Sequence, residues 1–392
     1  MRPLEGITVV SLEQAVAAPF ATRQLADLGA RVIKIERPGE GDFARGYDAT
    51  VLGQSSYFVW LNRSKESLTL DLKKRDAASI LAPLLERADV FVQNVAPGAA
   101  ARLGTRAADL RARHPRLIVC EITGFGSSGP YAHRKAYDLL VQAEAGVVSL
   151  TGTSDTPSKV GISIADIAAG MYAYSGILTA LLARASRGEG ALVEVSLFDA
   201  LAEWMGAPAY YAAYSGSAPR RTGAHHASIA PYGPFRTRDG QAIFIAVQNA
   251  REWARFCTDV LGWPGLADDD RFRTNTRRVE NREALHLAIE STVGTLDEAE
   301  VERRLDRASI AHARMNSVAD FVAHPQLVER DRWTDVGTPA GLVRALAPPV
   351  QISGTTAAFG PVPAVGQHTE AILEEMGFDR AAIAAWRAEG VV

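Results

Sequence analysis

The sequence lacks the features that mark several large classes of protein. Its two cysteines, Cys120 and Cys257, stand far apart in 392 residues, too few for a disulfide framework and without the Cys/His clusters of zinc sites. A formal net charge of -3 gives no basic field that would attract nucleic acid or anionic membranes. We see no signal peptide at the N-terminus and no apolar run of about 18 residues. We therefore expect a cytoplasmic protein that binds no metal, nucleic acid or membrane.

Familiar catalytic and cofactor-binding motifs are absent as well. No GxGxxG or GxxxxGKS pattern follows an early strand, so the sequence does not favour a dinucleotide-binding or a P-loop protein. No HExxH pattern offers a metal site, and no GxSxG turn offers the nucleophile of an ordinary serine hydrolase. The chemistry must therefore come from residues outside these motifs.

What the chain does have is a regular alternation of strands and helices. Short β-branched, apolar runs typical of buried parallel strands alternate with helical patterns. This alternation predicts an α/β fold with a Rossmann-like parallel sheet. The predicted strands are Ile7–Leu12, Arg31–Glu36, Leu68–Leu72, Asp89–Gln93, Leu117–Ile122 and Leu192–Ser196. The predicted helices are Ala15–Leu28, Asp76–Arg87, Ala107–Arg113, Ser163–Arg187 and Leu197–Tyr214.

A change of composition divides the chain. Residues 1–215 form the predicted large α/β domain, and the polar stretch 215–222 is interpreted as a linker. Residues 225–330 form a smaller α/β domain that begins with a hairpin turning at Asp239-Gly240. Residues 331–392, with proline-rich extended pieces and a helix from Thr369, are expected to return to the large domain.

Polar or glycine-rich segments follow the predicted strands, at the edge where open α/β sheets bind ligands. They are Glu13-Gln14, Glu36–Gly39, Leu61–Lys65, Leu68–Lys73, Gln93–Gly98, Gly124–Pro130 and the helix start Ile164-Ala165-Asp166. In this order, over nearly the whole length, they resemble the family III coenzyme A transferases, the group of formyl-CoA transferase and the CaiB/BaiF proteins. The resemblance implies an interlocked homodimer that moves CoA between an acyl-CoA and a small carboxylic acid, with no permanently bound cofactor.

The resemblance gives Asp166 the role of covalent nucleophile. Ser163 and Asp166 alone have the spacing of a capping box, and both roles are compatible because helix-terminal amides are expected to keep the carboxylate ionised. Gln14 matches the family's glutamine near the reacting centre, although a helix cap is the alternative. Gly124, Gly126 and Gly129 are candidate oxyanion-binding turns, or merely shape a loop.

The resemblance also suggests where CoA binds. Arg37 would flank the adenine, and Asn94 and Lys135 would hold the nucleotide. The residues expected to contact CoA are Arg37, Arg63, Lys65, Leu72, Lys73, Asn94, Arg102 and Lys135. The chain departs from the family at Ala96, where an arginine is usual, so a phosphate contact is either missing or supplied by Arg102. It also has no glycine in Val247–Ala250, where relatives carry a glycine-rich lid.

Two other functions remain open. The α-methylacyl-CoA racemases share the fold and the aspartate, but they have a histidine where this chain has Tyr137. A tyrosine with a pKa of about 10 is a poor base at neutral pH, which favours transfer over racemisation. A non-catalytic acyl-CoA binding protein is the third possibility. The sequence does not identify the acyl donor or the acceptor acid.

Overall fold

The structure, a computed structural model, describes residues 2–392 and separates into two units. The first unit comprises the described residues up to Gly146 together with Val160–Gly206 and Leu327–Val392. The second comprises Val147–Lys159 and Ala207–Gln326. Compared with the domains expected from the sequence, the second unit begins at Ala207 instead of residue 225 and also takes in residues 147–159.

A six-stranded sheet organises the first unit. Its strands are β1 Thr8–Leu12, β2 Arg31–Glu36, β3 Lys65–Thr69, β4 Val90–Gln93, β5 Ile118–Thr123 and β6 Leu192–Ser196. All neighbours pair in parallel, in the order β3-β2-β1-β4-β5-β6. This is the order of a Rossmann-type sheet, whose ligands bind at the carboxyl ends of the strands. The predicted fold class is confirmed, but the third strand lies three residues earlier than predicted.

Helices cover the sheet because the connections between parallel strands must cross over it. They are α1 Ala17–Asp27, α2 Ser56–Leu61, α3 Ala77–Glu86, α4 Ala99–Arg102, α5 Ala107–Arg113 and α6 Asp138–Glu144, with α7 Val147–Leu150 falling in the second unit. The first unit continues with α8 Ile164–Arg187 and α9 Leu197–Trp204. A short 3-10 helix, Phe43–Gly46, follows β2.

The 24-residue helix α8 is the main crossover of the first unit. It connects β5 to β6, so its N-terminus lies at the carboxyl edge of the sheet. A Cβ on Gly170 would stand 2.6 Å from the carbonyl oxygen of Ala17, so glycine lets α8 pack closely on α1. By length and hydropathy α8 could also cross a membrane, but here it packs against α1, α6, α9, β5 and β6.

The second unit is built on an antiparallel sheet. Strands β7 Tyr232–Arg236, β8 Ala242–Ala246 and β9 Ala311–Arg314 pair in that order, and the predicted hairpin joins β7 to β8. Phe235, Ile243, Ile245, Trp253 and Phe256 belong to its buried core. Its further helices are α10 Gly206–Ser215, α11 Ala250–Arg255, α12 Asn275–Glu280, α13 Arg282–Val293, α14 Glu298–Ala308 and α15 Val318–Val322, and α16 Pro325–Val328 contains the boundary.

The C-terminal residues complete the first unit. Strands β10 Trp333–Thr338 and β11 Gly341–Leu346 form an antiparallel hairpin that the sequence did not reveal. Helices α17 Thr369–Glu375 and α18 Arg380–Ala388 follow. Val391 and Val392 enter the same core cluster as the strand residue Ile35. The end of the chain is therefore an integral part of the first unit's core.

Candidate active site

The turn after β1 is held by side chains from two other connections. The backbone N–H of Gln14 donates to Asn94 Oδ1 at 2.9 Å, and Asn94 Nδ2 donates to the carbonyl of Gln14 at 2.8 Å. The next N–H, that of Ala15, donates to Asp42 Oδ1 at 3.1 Å. Asn94 follows β4 and Asp42 follows β2, so three connections meet at Gln14. The Asn94 side chain is thereby engaged with the protein backbone.

Ala15 has an unusual backbone conformation. Its φ of 63° lies in the left-handed region, which costs an L-residue with a Cβ roughly 1 kcal/mol. Such strained residues persist where the surrounding contacts over-determine the chain, and they cluster at functional sites. The clamp formed by Asn94 and Asp42 supplies those contacts here. The strained turn therefore holds Gln14 in a defined place at the sheet edge.

A network of buried charged side chains lies next to this turn and is connected to it through Glu13 and Asp42. Lys34 Nζ donates to Asp42 Oδ2 at 2.7 Å, and Lys65 Nζ donates to Glu13 Oε1 at 2.7 Å. All four side chains are fully buried. Burial lowers the pKa of Lys65 to about 8 despite the attraction of Glu13. Burial alone would raise the pKa of Glu13, but its lysine partners lower it.

Arg63 lies in a second buried ion pair. Its guanidinium group donates to both carboxylate oxygens of Asp27, at 2.8 and 2.7 Å, and Arg23 also donates to Asp27. Arg63 and Lys65 thus have buried protein partners, and a direct contact with CoA would require breaking them. Their expected contact with CoA stays a prediction, and this geometry favours a structural role.

Asp166 lies in the first turn of α8, next to a second carboxylate. Asp138 Oδ1 accepts the backbone N–H groups of Ala165 at 2.7 Å and of Asp166 at 3.3 Å. Ser163 occupies the N-cap position but makes no capping hydrogen bond through its side chain. The capping box expected from the sequence is therefore wrong, because a carboxylate from α6 takes its place.

This arrangement changes the expected charge of Asp166. Burial first, and then the negative charge of Asp138, raise the pKa of Asp166 from 3.8 to about 7. The expectation that helix-terminal amides keep it ionised is wrong, because Asp138 is the acceptor of those amides. Near neutral pH the carboxyl group of Asp166 therefore exists in both protonated and ionised forms.

Aromatic residues cluster around Tyr47, whose phenol lies close enough to the carboxyl group of Asp166 for the two groups to interact electrostatically. Tyr47 lies between Phe43 and Tyr57, with ring centroids 5.7 and 5.5 Å away, and Tyr57 lies 6.4 Å from Trp60. Burial, Asp42 and Asp166 raise the pKa of Tyr47 to about 12, so its phenol stays protonated. Phe43 lies in the 3-10 helix and Tyr57 and Trp60 lie in the short helix α2, neither of which the sequence predicted.

One cleft of the first unit contains Arg37 and Lys73. Its volume is about 330 Å³, and it is lined by Arg37, Pro38, Glu40, Asp71, Lys73 and Gly390. The Arg37 side chain is exposed and forms a surface ion pair of 3.0 Å with Glu40. Leu72, between Asp71 and Lys73, packs partly buried against the core. The structure thus brings two of the residues predicted for CoA, Arg37 and Lys73, to one cleft, whereas Leu72 packs against the core and is not among the cleft's lining residues.

A second cleft of about 470 Å³ contains Lys135 and is lined by Phe125, Arg134, Lys135, Leu140, Ala143 and Glu144. Arg134 stacks on the ring of Tyr131, 3.5 Å from its centroid. A Cβ on Gly124 would stand 2.1 Å from Cβ of Ala136, so the glycine turn packs directly beside the segment that leads to Asp138.

Two of the sequence's departures from the family have clear local structures. Arg102, the proposed substitute for the missing arginine at Ala96, is exposed in α4, and its Nη1 lies 3.4 Å from the Cβ position of Gly98. Val247–Ala250 leads into α11, where the Asn249 side chain accepts the N–H of Glu252. In the described residues no group of three or more His, Cys, Asp or Glu side chains could hold a metal ion.

Comparisons with known proteins agree with the resemblance. Residues 4–369 match the sequence pattern of CoA-transferase family III. The chain is 33% identical to a succinyl-CoA:glutarate CoA-transferase of Mus musculus, over 100% of this chain and 91% of the relative. It is 37% identical to an acetyl-CoA:oxalate CoA-transferase of Acetobacter aceti, over 90% of each chain. A CaiB/BaiF family protein of Brucella suis superposes with a TM-score of 0.83, 35% identity and coverage of 96% and 99%.

Proposed function

Because this chain belongs to CoA-transferase family III, and is therefore a CoA-transferase, we propose that Asp166 is the residue that carries the acyl group. The observation that supports this role is its position: a partly buried carboxyl group in the first turn of α8, at the ligand-binding edge of the sheet. Its pKa of about 7 makes it a stronger nucleophile than an ordinary aspartate once it is ionised.

The proposed reaction has four steps, and each exchanges one bond for another. Asp166 attacks the thioester carbonyl of the donor, the C–S bond breaks, and CoA leaves as thiolate from an aspartyl anhydride. The thiolate attacks the aspartyl carbonyl, which releases the donor acid and forms an aspartyl-CoA thioester. The acceptor carboxylate then attacks this thioester, and the released thiolate attacks the acceptor carbonyl. One thioester is consumed and one is made, so no external energy source is needed.

Each step creates an oxyanion that requires fixed hydrogen-bond donors. We propose the Gln14 amide, the protonated phenol of Tyr47 and backbone amides of the Gly124–Gly129 turn for this role. The strained, doubly clamped turn at Ala15 supports the assignment of Gln14, because a donor must be held in place before charge develops. The influence of Asp166 on the pKa of Tyr47 supports the second assignment.

CoA itself is proposed to bind in the clefts of the first unit. Arg37 and Lys73 would hold the adenosine end in the first cleft, and Lys135 would hold a phosphate in the second. Arg37 can leave its exposed partner Glu40 at little cost, since surface ion pairs contribute about 0–1 kcal/mol. Arg102 remains a proposed contact of CoA, and Asn94 is proposed to act indirectly by holding Gln14 in place.

The relatives suggest which acids to try. The named relatives use succinyl-CoA with glutarate, or acetyl-CoA with oxalate. We propose a small dicarboxylic acid as the acceptor and succinyl-CoA or acetyl-CoA as the donor. We also propose that the protein acts as a cytoplasmic homodimer. Helix α10 buries none of its residues and exposes Tyr210 and Tyr214 by 69% and 85%, an apolar face that a second copy would cover.

The racemase alternative is less well supported. Tyr137 is 64% exposed, and no histidine occupies its position beside Asp138. A racemase would take up deuterium at the α-carbon of a 2-methylacyl-CoA in heavy water without any added acid. A CoA-transferase would leave that carbon unlabelled.

The proposal is tested by a matrix of donors and acceptors. Succinyl-CoA and acetyl-CoA are each incubated with glutarate, oxalate or other small acids, and the CoA products are identified by mass spectrometry. The wild-type protein should form at least one new acyl-CoA, and Asp166→Asn should form none above background. Exchange at the wild-type rate by the Asp166→Asn variant would refute the role of Asp166.

A further inference from the structure

The N-terminus of α8 is capped by a residue from another helix. Asp138, the first residue of α6, accepts the N–H groups of Ala165 and Asp166, and the residue at the N-cap position, Ser163, does not serve as a side-chain acceptor. The first turn of a helix has backbone donors without intrahelical partners, so an external acceptor fixes the position of that turn. Here the turn being fixed is the one that carries Asp166.

Asp138 is itself held in place. Gln142, one turn further along α6, donates from Nε2 to Asp138 Oδ2 at 2.7 Å. Its Oε1 accepts the N–H of Val160 at 2.9 Å, in the segment that leads to α8. The Gln142 side chain is fully buried, so water does not compete for these hydrogen bonds. Both carboxylate oxygens of Asp138 therefore have defined protein partners.

The cap has an electrostatic consequence for its neighbour. Free amides at a helix N-terminus stabilise a negative charge in the first turn. In this protein the amides of Ala165 and Asp166 point to Asp138, which brings its own negative charge close to Asp166. The residue that orients Asp166 is therefore also the residue that opposes its ionisation.

We propose that Asp138 is a positioning residue of the transfer reaction, which fixes the direction of Asp166 and sets the charge state in which Asp166 meets the acyl-CoA. This inference rests on the proposed role of Asp166 as nucleophile. It assigns to Asp138 a function that requires no contact with substrate.

Asp138 is the charged group that acts most directly on Asp166. It raises the pKa of Asp166 together with burial, while the phenol of Tyr47 interacts electrostatically with Asp166 and with Tyr137. The other charged groups on the elements packed against α8 do not contribute to this shift: Arg23, Asp27, Glu121, Glu144, Glu194, Asp199 and Glu203. A change confined to Asp138 should therefore change the titration of Asp166.

Two variants separate the charge of Asp138 from its position. Asp138→Asn keeps an oxygen that can accept the two amides but removes the charge, and Asp138→Glu keeps the charge but displaces the oxygens. The measurement is the single-turnover rate of CoA attachment to the enzyme, with succinyl-CoA as donor, from pH 5 to pH 9. In the Asn variant the fall of this rate on the acid side (the acid limb) should occur about one pH unit lower, because Asp166 ionises more readily without the neighbouring charge. The Glu variant should keep the limb and lower the plateau about tenfold or more.

A control variant in the second unit completes the test. Asp297 caps α14 in the second unit by accepting the N–H of Glu300 at 2.9 Å, so Asp297→Asn makes the same chemical change away from Asp166. It should leave both limb and plateau unchanged. An unshifted acid limb in Asp138→Asn, or a wild-type plateau in Asp138→Glu, would overturn the proposal for Asp138. Loss of CoA attachment in Asp166→Asn would still support the proposed function in that case, and its persistence would refute that function independently.

Discussion

The side chain of Asn94 closes a pair of hydrogen bonds with the backbone of Gln14, one to its N–H and one to its carbonyl. Within the described residues, the turn after β1 has no neighbouring strand to pair with its backbone groups. The side chain of Asn94, which follows β4, pairs with them instead. Asp42 holds the next residue, Ala15, in its left-handed conformation. This clamp explains why a residue with a side chain is found where glycine would be less strained.

Replacing Ala15 with glycine tests whether the strain serves the site. Removal of the Cβ should stabilise the folded protein by about 1 kcal/mol, because glycine adopts a positive φ without steric cost. The more mobile turn should lower kcat several-fold, because Gln14 is then less well positioned. Urea unfolding and steady-state kinetics measure the two effects.

Ser309→Gly is the matched control for this change. Ser309 has a φ of 52° at the C-terminus of α14 in the second unit. Its replacement should bring a similar gain in stability with no change in kcat. A wild-type kcat in Ala15→Gly would show that the strained turn does not serve catalysis.

The titration of Asp166 should be visible in the stability of the protein. Its pKa is 3.8 in the unfolded chain and about 7 in the folded protein. The folded state therefore holds the proton more tightly, and this contribution is complete below pH 4 and lost as the pH rises through 7. Relative to Asp166→Asn, the wild-type protein should lose roughly 2 kcal/mol of unfolding free energy between pH 4.5 and pH 8, with allowance for solvent screening. Urea unfolding at both pH values measures the difference, and a constant difference would contradict the raised pKa.

Lys65→Met tests whether this lysine is structural. The side chain is fully buried, and its removal takes a cation from Glu13 and donors from Pro19 and Asn62. The variant should lose about 3 kcal/mol of stability, because an uncompensated charge remains in the interior. Lys73→Met, at an exposed position, is the control and should change stability by less than about 0.5 kcal/mol. If Lys65→Met retained wild-type stability but raised KM for acyl-CoA, Lys65 would be a ligand of CoA after all.

Arg37→Ala should weaken the binding of acyl-CoA without slowing the chemistry. Loss of a guanidinium group from the first cleft should raise KM about tenfold and leave kcat within a factor of two. Arg277→Ala removes a similar exposed ion pair, with Glu280, from the second unit and should change neither constant. A lower kcat with an unchanged KM in Arg37→Ala would move Arg37 from the binding of CoA to the reaction itself.

The sequence predicted the elements whose periodicity is strong. Arg31–Glu36 and Leu192–Ser196 form strands with the predicted bounds, because each is a short run with several β-branched residues in a parallel sheet. The third strand was displaced, because Lys65 and Glu66 look like surface residues until their buried and cross-strand partners are known. The predicted helix Leu197–Tyr214 is interrupted at Met205, and the hairpin β10–β11 has too little alternation to stand out.

The sequence suggested candidate residues for the site but not the electrostatics around them. Asp166 and Gln14 stand out by resemblance, and Arg37 and Lys73 do line one cleft. The cap of α8 was not predictable, because Asp138 and Ala165 lie far apart in the sequence and nearby Ser163 fits the local pattern better. The capping-box spacing assigned the backbone amides of the first turn of α8 to the wrong acceptor. The expected charge of Asp166 was therefore wrong as well.

Oxygen-18 in the acceptor acid gives the most direct test of an aspartyl carrier. In the proposed reaction each turnover leaves one acceptor oxygen on the Asp166 carboxyl group, because the acceptor attacks the aspartyl carbonyl. After turnover with succinyl-CoA and glutarate labelled in both carboxyl groups, or with whichever pair the donor and acceptor matrix identifies, the peptide that contains Asp166 should be heavier by oxygen-18, and other acidic peptides should not. An unlabelled Asp166 peptide after many turnovers would contradict the account.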